Sequence, residues 1–181
     1  MSKMFKYSLL FLFMILGTSC ASWDPGRQAS LEQDASATIK AFRTKDPGIK
    51  RFFNDAYAYA VFPTVGKGAM GIGGAYGDGL VYRQGRAIAR TSLTQVTVGL
   101  QLGGQAYHEI IFFRDRQAFD QFKSGQLKLA AQLSAVAVTA GASADASYEQ
   151  GVAVFTLAKG GLMYEASVGG QSFSYEPLGS R

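Results

Sequence analysis

The sequence predicts an α+β domain built mainly from antiparallel β-strands. Apolar residues recur with helical spacing over about 29–55, and from residue 57 onward they alternate as they do in strands. The composition points the same way, with 22 glycines, 4 prolines, 9 tyrosines and 13 phenylalanines among 181 residues. Such a composition favours a folded, β-rich domain with tight turns over a disordered chain.

The first twenty residues predict an export signal. Two lysines precede an apolar run over 9–16, which is too short to cross a bilayer because a crossing helix needs about 20 residues. Three short residues at 17–19 then precede Cys20. This arrangement resembles the lipobox of bacterial lipoproteins, although glycine stands where leucine is usual. We therefore expect a signal peptide over 1–19 and diacylglycerol on Cys20; a plain secretory signal and an uncleaved anchor are the alternatives.

Cys20 is the only cysteine, so no disulfide can form within the chain. Ala21 follows it, and the aspartate that retains lipoproteins in the inner membrane is absent there. The lipoprotein resemblance therefore implies a lipid anchor in the outer membrane, facing the periplasm. Without its two signal lysines the chain has 16 Lys and Arg against 13 Asp and Glu, a net charge of +3. This charge is too small to indicate nucleic-acid binding.

Two helices are predicted at the start of the mature chain. A short tether is expected over 20–28, followed by a single domain over 29–181. Apolar residues at spacings of four, four and three predict the first helix over about 29–44. The second is predicted over about 47–55, since Asp46 is a good N-cap and proline suits the first turn.

The rest of the domain is predicted to be a strongly bent, glycine-rich sheet of about eight strands, interrupted by one further short helix. That helix begins near Asp115 and ends at Gly125. The predicted strand segments are 57–62, 80–82, 96–102, 107–113, 127–133, 152–158, 162–168 and 171–175. Turns are expected at 83–86 and at 159–161, and the apolar residues of 96–102 are expected to be half-buried.

Motifs for catalysis are weak. The sequence GKGAMG at 66–71 matches a dinucleotide-binding pattern, but more glycines follow it instead of a helix. These glycines instead predict sheet bends and close backbone approach. His108 is the only histidine and lies in an apolar strand, which favours a structural role, and no metal site or cofactor is expected. Glu109 and Glu165 leave a hydrolase as one alternative, although ordinary cross-strand partners explain them more simply.

The order of five segments carries a family resemblance. These segments are AYAVFP at 58–63, GDGLV at 77–81, VGLQLGGQ at 98–105, IIFFR at 110–114 and KGGLMYEASVGG at 159–170. In this order the chain resembles the SYLF domain, a lipid-binding family, over about 46–177. The sequence RTSL at 90–93 departs from the Trp-Ser-Ala-Pro-like segment of that family. Eukaryotic adaptors of this family bind some of their partners through an additional SH3 domain. Because no such domain is found in this sequence, actin binding is not implied.

The resemblance implies phospholipid binding, with anionic headgroups as the expected partner, and the weak catalytic motifs predict a protein without enzymatic activity. The candidate lipid-binding residues are Lys40, Arg43, Lys45, Lys50, Arg51 and Lys67. The first five lie beside Phe42, Phe52 and Phe53, and basic groups with apolar neighbours suit a membrane interface. Two alternatives remain: the aromatics pack on the sheet beneath a solvated charged face, or the protein is a structural or partner-binding lipoprotein for which lipid is only the anchor. Protein partners are not indicated.

Overall fold

The computed structural model describes residues 25–127 and 136–179, and it confirms the α+β class with a mostly antiparallel sheet. The predicted signal peptide, Cys20 and most of the strand predicted at 127–133 lie outside the described residues. Within the described residues the elements are α1 (Pro25–Lys45), a 3-10 helix (Pro47–Ile49), α2 (Lys50–Asp55), β1 (Ala58–Arg83), β2 (Arg86–Phe113), α3 (Arg116–Lys123), β3 (Val136–Ala137), β4 (Val152–Phe173) and β5 (Glu176–Pro177).

The N-terminal helices follow the prediction with two differences. Helix α1 begins at Pro25, so residues 25–28, predicted as tether, are helical. The second predicted helix is divided into the 3-10 turn and α2. Its predicted cap is confirmed, because Asp46 Oδ1 accepts a hydrogen bond from the Gly48 N–H at 3.0 Å.

Three long strands form most of the sheet. Strand β1 pairs antiparallel with β2, and β2 pairs antiparallel with β4. The predicted turn at 83–86 is present, and Gln84 and Gly85 have φ values of 51° and 74°, as a two-residue hairpin turn requires. The short β3 runs parallel to β4, and β5 pairs with β2. Several predicted strand segments are therefore parts of one continuous strand.

The predicted turn at 159–161 is wrong. Strand β4 runs through this segment, with Gly160 opposite Ala106 and Gly161 opposite Gln105. Gly161 has a φ of 96°. Its conformational freedom bends the strand and does not reverse the chain.

The sheet folds back on itself. Glu109 and Gln95 are fourteen residues apart on β2, which is roughly 46 Å along a straight strand. Nevertheless Gln171, which lies opposite Gln95, donates a hydrogen bond to Glu109 Oε2 at 3.1 Å. The two halves of the long strands must therefore face each other. Register shifts between Met70 and Ile72, and between Ala106 and Tyr107, disturb the pairing in the part between the halves.

Two glycines allow the halves of β1 to touch. A Cβ atom at Gly79 would lie 2.5 Å from the carbonyl oxygen of Val61, and one at Gly77 would lie 2.7 Å from that of Thr64. A side chain at either position would collide with backbone that cannot move aside independently. The glycine-dense segment thus supplies the bends and the close approach that the sequence predicted.

The folded sheet has two apolar faces. The inner core lies between the two halves, where Phe62 packs with Phe173, and α3 adds Phe122. The outer core lies beneath α1, α2 and the segment 136–148. Its largest members are Phe42, Phe52, Phe112 and Phe155.

The burial predicted for the strand at 96–102 is wrong. Val96, Val98 and Leu102 are each 62% exposed, whereas Thr97 is 1% exposed. Apolar and polar residues do alternate in this segment. The apolar residues lie on the outer face of the sheet, and no helix of the described residues covers that face here.

We expect Gly79→Ala to lower the free energy of unfolding by about 1–3 kcal/mol, because the added methyl group must push two backbone segments apart. Gly68→Ala is the matched control, since a Cβ atom there would meet nothing within 4 Å, and its effect should stay within about 0.5 kcal/mol. Urea unfolding of the two variants and the parent measures both changes in the free energy of unfolding. Equal stabilities would contradict the contact.

Candidate functional site

A basic stretch lies at the end of α1 and in α2. Within residues 40–51 every exposed charge is positive, and these residues are Lys40, Arg43, Lys45, Lys50 and Arg51. The single acid in this stretch, Asp46, is 1% exposed. The carbonyl end of α1 favours the cations of its last turn. The structure therefore brings five of the six predicted lipid-binding residues into one region.

Asp46 is turned away from that surface, because its carboxylate is bonded internally. It accepts hydrogen bonds from the backbone N–H groups of Ser143, at 2.6 Å, and Gly48. Burial alone would raise the pKa of the Asp46 carboxyl, but the hydrogen bonds from Ser143 and Gly48 hold that pKa below its ordinary value. Asp46 thus links the 3-10 helix that follows α1 to the segment around Ser143.

Arg51 has a structural task within the basic stretch. Its Nη2 donates to the carbonyl oxygens of Ser143 at 2.5 Å, Ala144 at 3.2 Å and Ala146 at 2.6 Å. The guanidinium also lies over the Phe52 ring, 4.8 Å from its centroid. Of the five predicted residues, Arg51 is therefore the one whose replacement would disturb the fold.

The aromatic neighbours pack against the sheet. Phe42 is 0% exposed, Phe52 is 3% exposed and Phe53 is partly buried against the outer core. The Arg43 guanidinium covers the Phe53 ring at 4.4 Å. The structure therefore agrees with the alternative in which these aromatic side chains pack on the sheet beneath a charged face. The exposed part of the region is charged rather than apolar.

His108 is bonded across the sheet, as its strand position predicted. Its Nδ1 lies 2.5 Å from the Pro63 carbonyl oxygen and 3.2 Å from Thr38 Oγ1. Because a carbonyl only accepts, Nδ1 must carry the hydrogen. Burial lowers the pKa of the His108 ring, and nearby Lys159 lowers it further against the opposing effect of the Pro63 bond. The ring thus links β2 to β1 and α1.

Glu109 is an acid inside the folded sheet. It is 1% exposed, its Oε2 accepts the Gln171 bond, and within the described residues its Oε1 has no hydrogen-bond partner. Burial raises the pKa of the Glu109 carboxyl to about 7. Strand pairing does not bring Glu165 to it, since Glu165 lies opposite Gln101 and Glu109 lies opposite Thr156. No group of His, Cys, Asp and Glu in the described part of the chain could hold a metal ion.

An exposed apolar surface lies where the sheet bends. It consists of Met70, Ile72 and Tyr76 on β1 with Val96, Val98 and Leu102 on β2, and we call it the bend patch. Their exposed fractions run from 55% to 83%. The sequence does not predict this surface, because alternation shows that a strand has an apolar face but not whether another element covers it.

Few charged residues lie along the two strands that carry the bend patch. Lys67, the sixth predicted lipid-binding residue, is partly buried on β1 three residues before Met70. It is the only charged residue in the paired stretches 66–77 and 93–106. On β4, exposed Lys159 donates from Nζ to Thr64 Oγ1 at 2.7 Å. Lys67 thus lies apart from the basic stretch, and strand alternation places it on the opposite face of β1 from Met70. No helix between residues 25 and 127 or 136 and 179 has the length and hydrophobicity that a membrane crossing requires.

We expect the contribution of Glu109 to the stability of the protein to fall as pH rises from about 4.5 to about 7. The folded state keeps the Glu109 proton in this range, whereas the unfolded chain, with its ordinary pKa of 4.5, releases it. The loss should be on the order of 3 kcal/mol and should level off above neutrality. Glu109→Gln should remove this dependence, while Glu32→Gln, on an exposed acid of α1, should retain it. Urea unfolding across the pH range tests this, and parallel profiles for the parent and Glu109→Gln would refute it.

Comparison with known proteins finds similarity to one family over part of the chain. Residues 94–176 match the family model described as Ysc84, the Las17-binding protein actin regulator. The curated Beta cell expansion factor A of Aeromonas veronii, a SYLF-family protein, is 27% identical over 140 residues, which are 76% of this chain and 52% of that protein. The chain thus spans about half the length of this curated relative. This chain is therefore similar to the SYLF (Ysc84) family over residues 94–176, and the segments that carried the resemblance lie in one folded sheet.

Proposed function

We propose that this protein is a lipid-anchored, periplasm-facing lipoprotein of the outer membrane whose SYLF domain binds anionic phospholipid without catalysing a reaction. The observation that carries the proposal is the basic stretch, in which every exposed charge within residues 40–51 is positive. Anionic headgroups attract such a surface by about 1 kcal/mol for each basic side chain near the membrane.

The internal bonds of Asp46 support this assignment. An acid at the surface between Lys45 and Lys50 would offset part of their attraction for a headgroup. Here the carboxylate is held by backbone N–H groups, so the positive side chains stand without an exposed acid among them. Because the aromatic rings of the stretch pack on the sheet, the contact is electrostatic and should weaken with salt.

The non-enzymatic part of the proposal is supported by the candidate catalytic groups. The carboxyl of Glu109 is enclosed in the sheet. A general acid or base must reach the proton that it transfers, directly or through a water molecule. Glu109 meets no solvent through which a substrate would reach it.

Processing at Cys20 is the first test. Labelled palmitate or intact mass should show lipid on Cys20, and Cys20→Ser should abolish the lipid and leave uncut precursor. A single acyl chain anchors a protein only marginally, so stable membrane retention implies more than one chain or a further contact. A native protein that is cleaved normally and carries no lipid would exclude the lipoprotein assignment.

Charge reversal is the second test. In the chain that begins at Ala21, Lys45→Glu with Lys50→Glu should weaken binding to anionic vesicles more than tenfold at low salt, since two attractions become repulsions. Arg51 is left intact because it holds the Ser143 segment. Co-sedimentation with vesicles of graded phosphatidylglycerol content measures the effect.

The matched control reverses two exposed charges elsewhere. Arg86→Glu with Arg116→Glu gives the same net charge, with one change at the β1–β2 turn and the other on α3. This control should bind nearly as the parent does, and thermal melting should show that both double variants are folded. Equal binding by the Lys45/Lys50 variant and the parent would overturn the basic stretch as the lipid site. No vesicle binding by the parent would favour the structural or partner-binding lipoprotein.

A further inference from the structure

We infer that the bend patch inserts into the acyl region of the same bilayer that holds the Cys20 anchor. This inference rests on the proposed function, because it takes the anchor as given. It assigns a second contact, apolar and separate from the basic stretch, with phospholipid as its occupant.

Register places the six side chains on one face. Met70 lies opposite Leu102, Ile72 lies opposite Val98, and Val96 lies opposite Gly74. Directly opposed residues share a face of the sheet, and so do residues two apart on one strand. The buried residues Ala75 and Thr97 lie between them on the inner face. The patch is therefore one continuous apolar surface turned away from the core.

Helix α1 begins where the patch ends. On the outer face of β1, Leu80 is buried with Ala35 of α1 in the outer core. Two residues along, Asp78 meets the start of the helix, where Arg27 Nη2 lies 3.3 Å from its Oδ2. The Tyr76 hydroxyl donates to the same carboxylate at 2.6 Å. The patch thus borders the end of α1 to which the tether is attached.

The length of the tether brings the membrane to this end. Cys20 and Pro25 are five residues apart, which is at most about 18 Å of chain. The basic stretch lies at the other end of α1, roughly 31 Å away for a helix of 21 residues. A bilayer that holds the lipid on Cys20 is therefore close to the bend patch, whatever the basic stretch contacts.

The chemistry of the patch fits the interface of a bilayer. Apolar side chains of four kinds with a tyrosine at the rim are the groups that settle at the boundary between headgroups and acyl chains. The one acid at that rim, Asp78, is hydrogen-bonded to Tyr76 and paired with Arg27. In the paired stretches 66–77 and 93–106 there is no acid that would be drawn into the headgroups.

An environment-sensitive probe tests the insertion in the mature, lipidated protein. Acylation blocks the Cys20 thiol, so Ile72→Cys provides the one free thiol for a nitrobenzoxadiazole label. Val98→Cys is the second reporter. Gln117→Cys, at an exposed position of α3, is the matched control. Because Ile72 and Val98 are 70% and 62% exposed, labelling them should leave the fold intact, which a thermal melt checks.

In liposomes of phosphatidylethanolamine and phosphatidylglycerol, we expect blue-shifted emission at positions 72 and 98 and quenching by lipids with a nitroxide on the acyl chain. The label at position 117 should remain in water and unquenched. If the protein stays on the liposomes while the label at 72 behaves like that at 117, the insertion is wrong and the anchor stands. A blue shift that increases with protein concentration and is not accompanied by nitroxide quenching would show that the patch binds a second copy of the chain. Failure of the protein to remain on liposomes would overturn the proposed function and the insertion together.

Discussion

Contact between two parts of one backbone is the constraint on which the rest of this structure depends. Strand β1 touches itself at Gly77 and Gly79, where the neighbouring groups are the carbonyls of Thr64 and Val61. With no side chain between them, the two halves of the sheet close to the distance that lets Phe62 meet Phe173. The closed inner core in turn encloses Glu109 and turns the opposite face of each strand outward.

The charged groups of this protein differ in how they are hydrogen-bonded. Asp46 and Arg51 are fully engaged with the backbone of residues 143–146, so their charges hold a loop against the helices. Glu109 has one hydrogen bond and an Oε1 atom without a partner in the described structure. A buried polar atom without a hydrogen bond costs stability, and below neutral pH the carboxyl keeps its proton and so avoids a buried charge. The lysines of the basic stretch have neither task and remain at the surface.

Local patterns predicted the elements well but could not predict how they cover one another. The Asp46 cap, the turn at Gln84 and the bonded His108 depend on neighbours within a few residues or on the adjacent strand, and all three are present. The exposure of Val96 and Val98 depends on where α1 begins, which no alternation encodes. The glycines at 159–161 have the composition of a turn, yet they bend a continuous strand, because the same φ freedom serves either purpose. The basic residues were found from charge alone, whereas the structural task of Arg51 required its distant partners at 143–146.

The order of the long strands sets an expectation for how the chain folds. Pairing of β1 with β2 can grow outward from the Gln84 turn, beginning at Arg83 and Arg86 and ending at Ala58 and Phe113. Pairing of β2 with β4 must first close a loop between Phe113 and Val152, and its last pair joins Leu93 to Phe173, 80 residues apart. Contacts between distant residues form slowly because the entropy of loop closure is lost before they are gained. We therefore expect the β1–β2 hairpin to form early and β4 to join last. Until β4 joins, one edge of β2 stays open to pairing with other chains, so refolding should be sensitive to protein concentration.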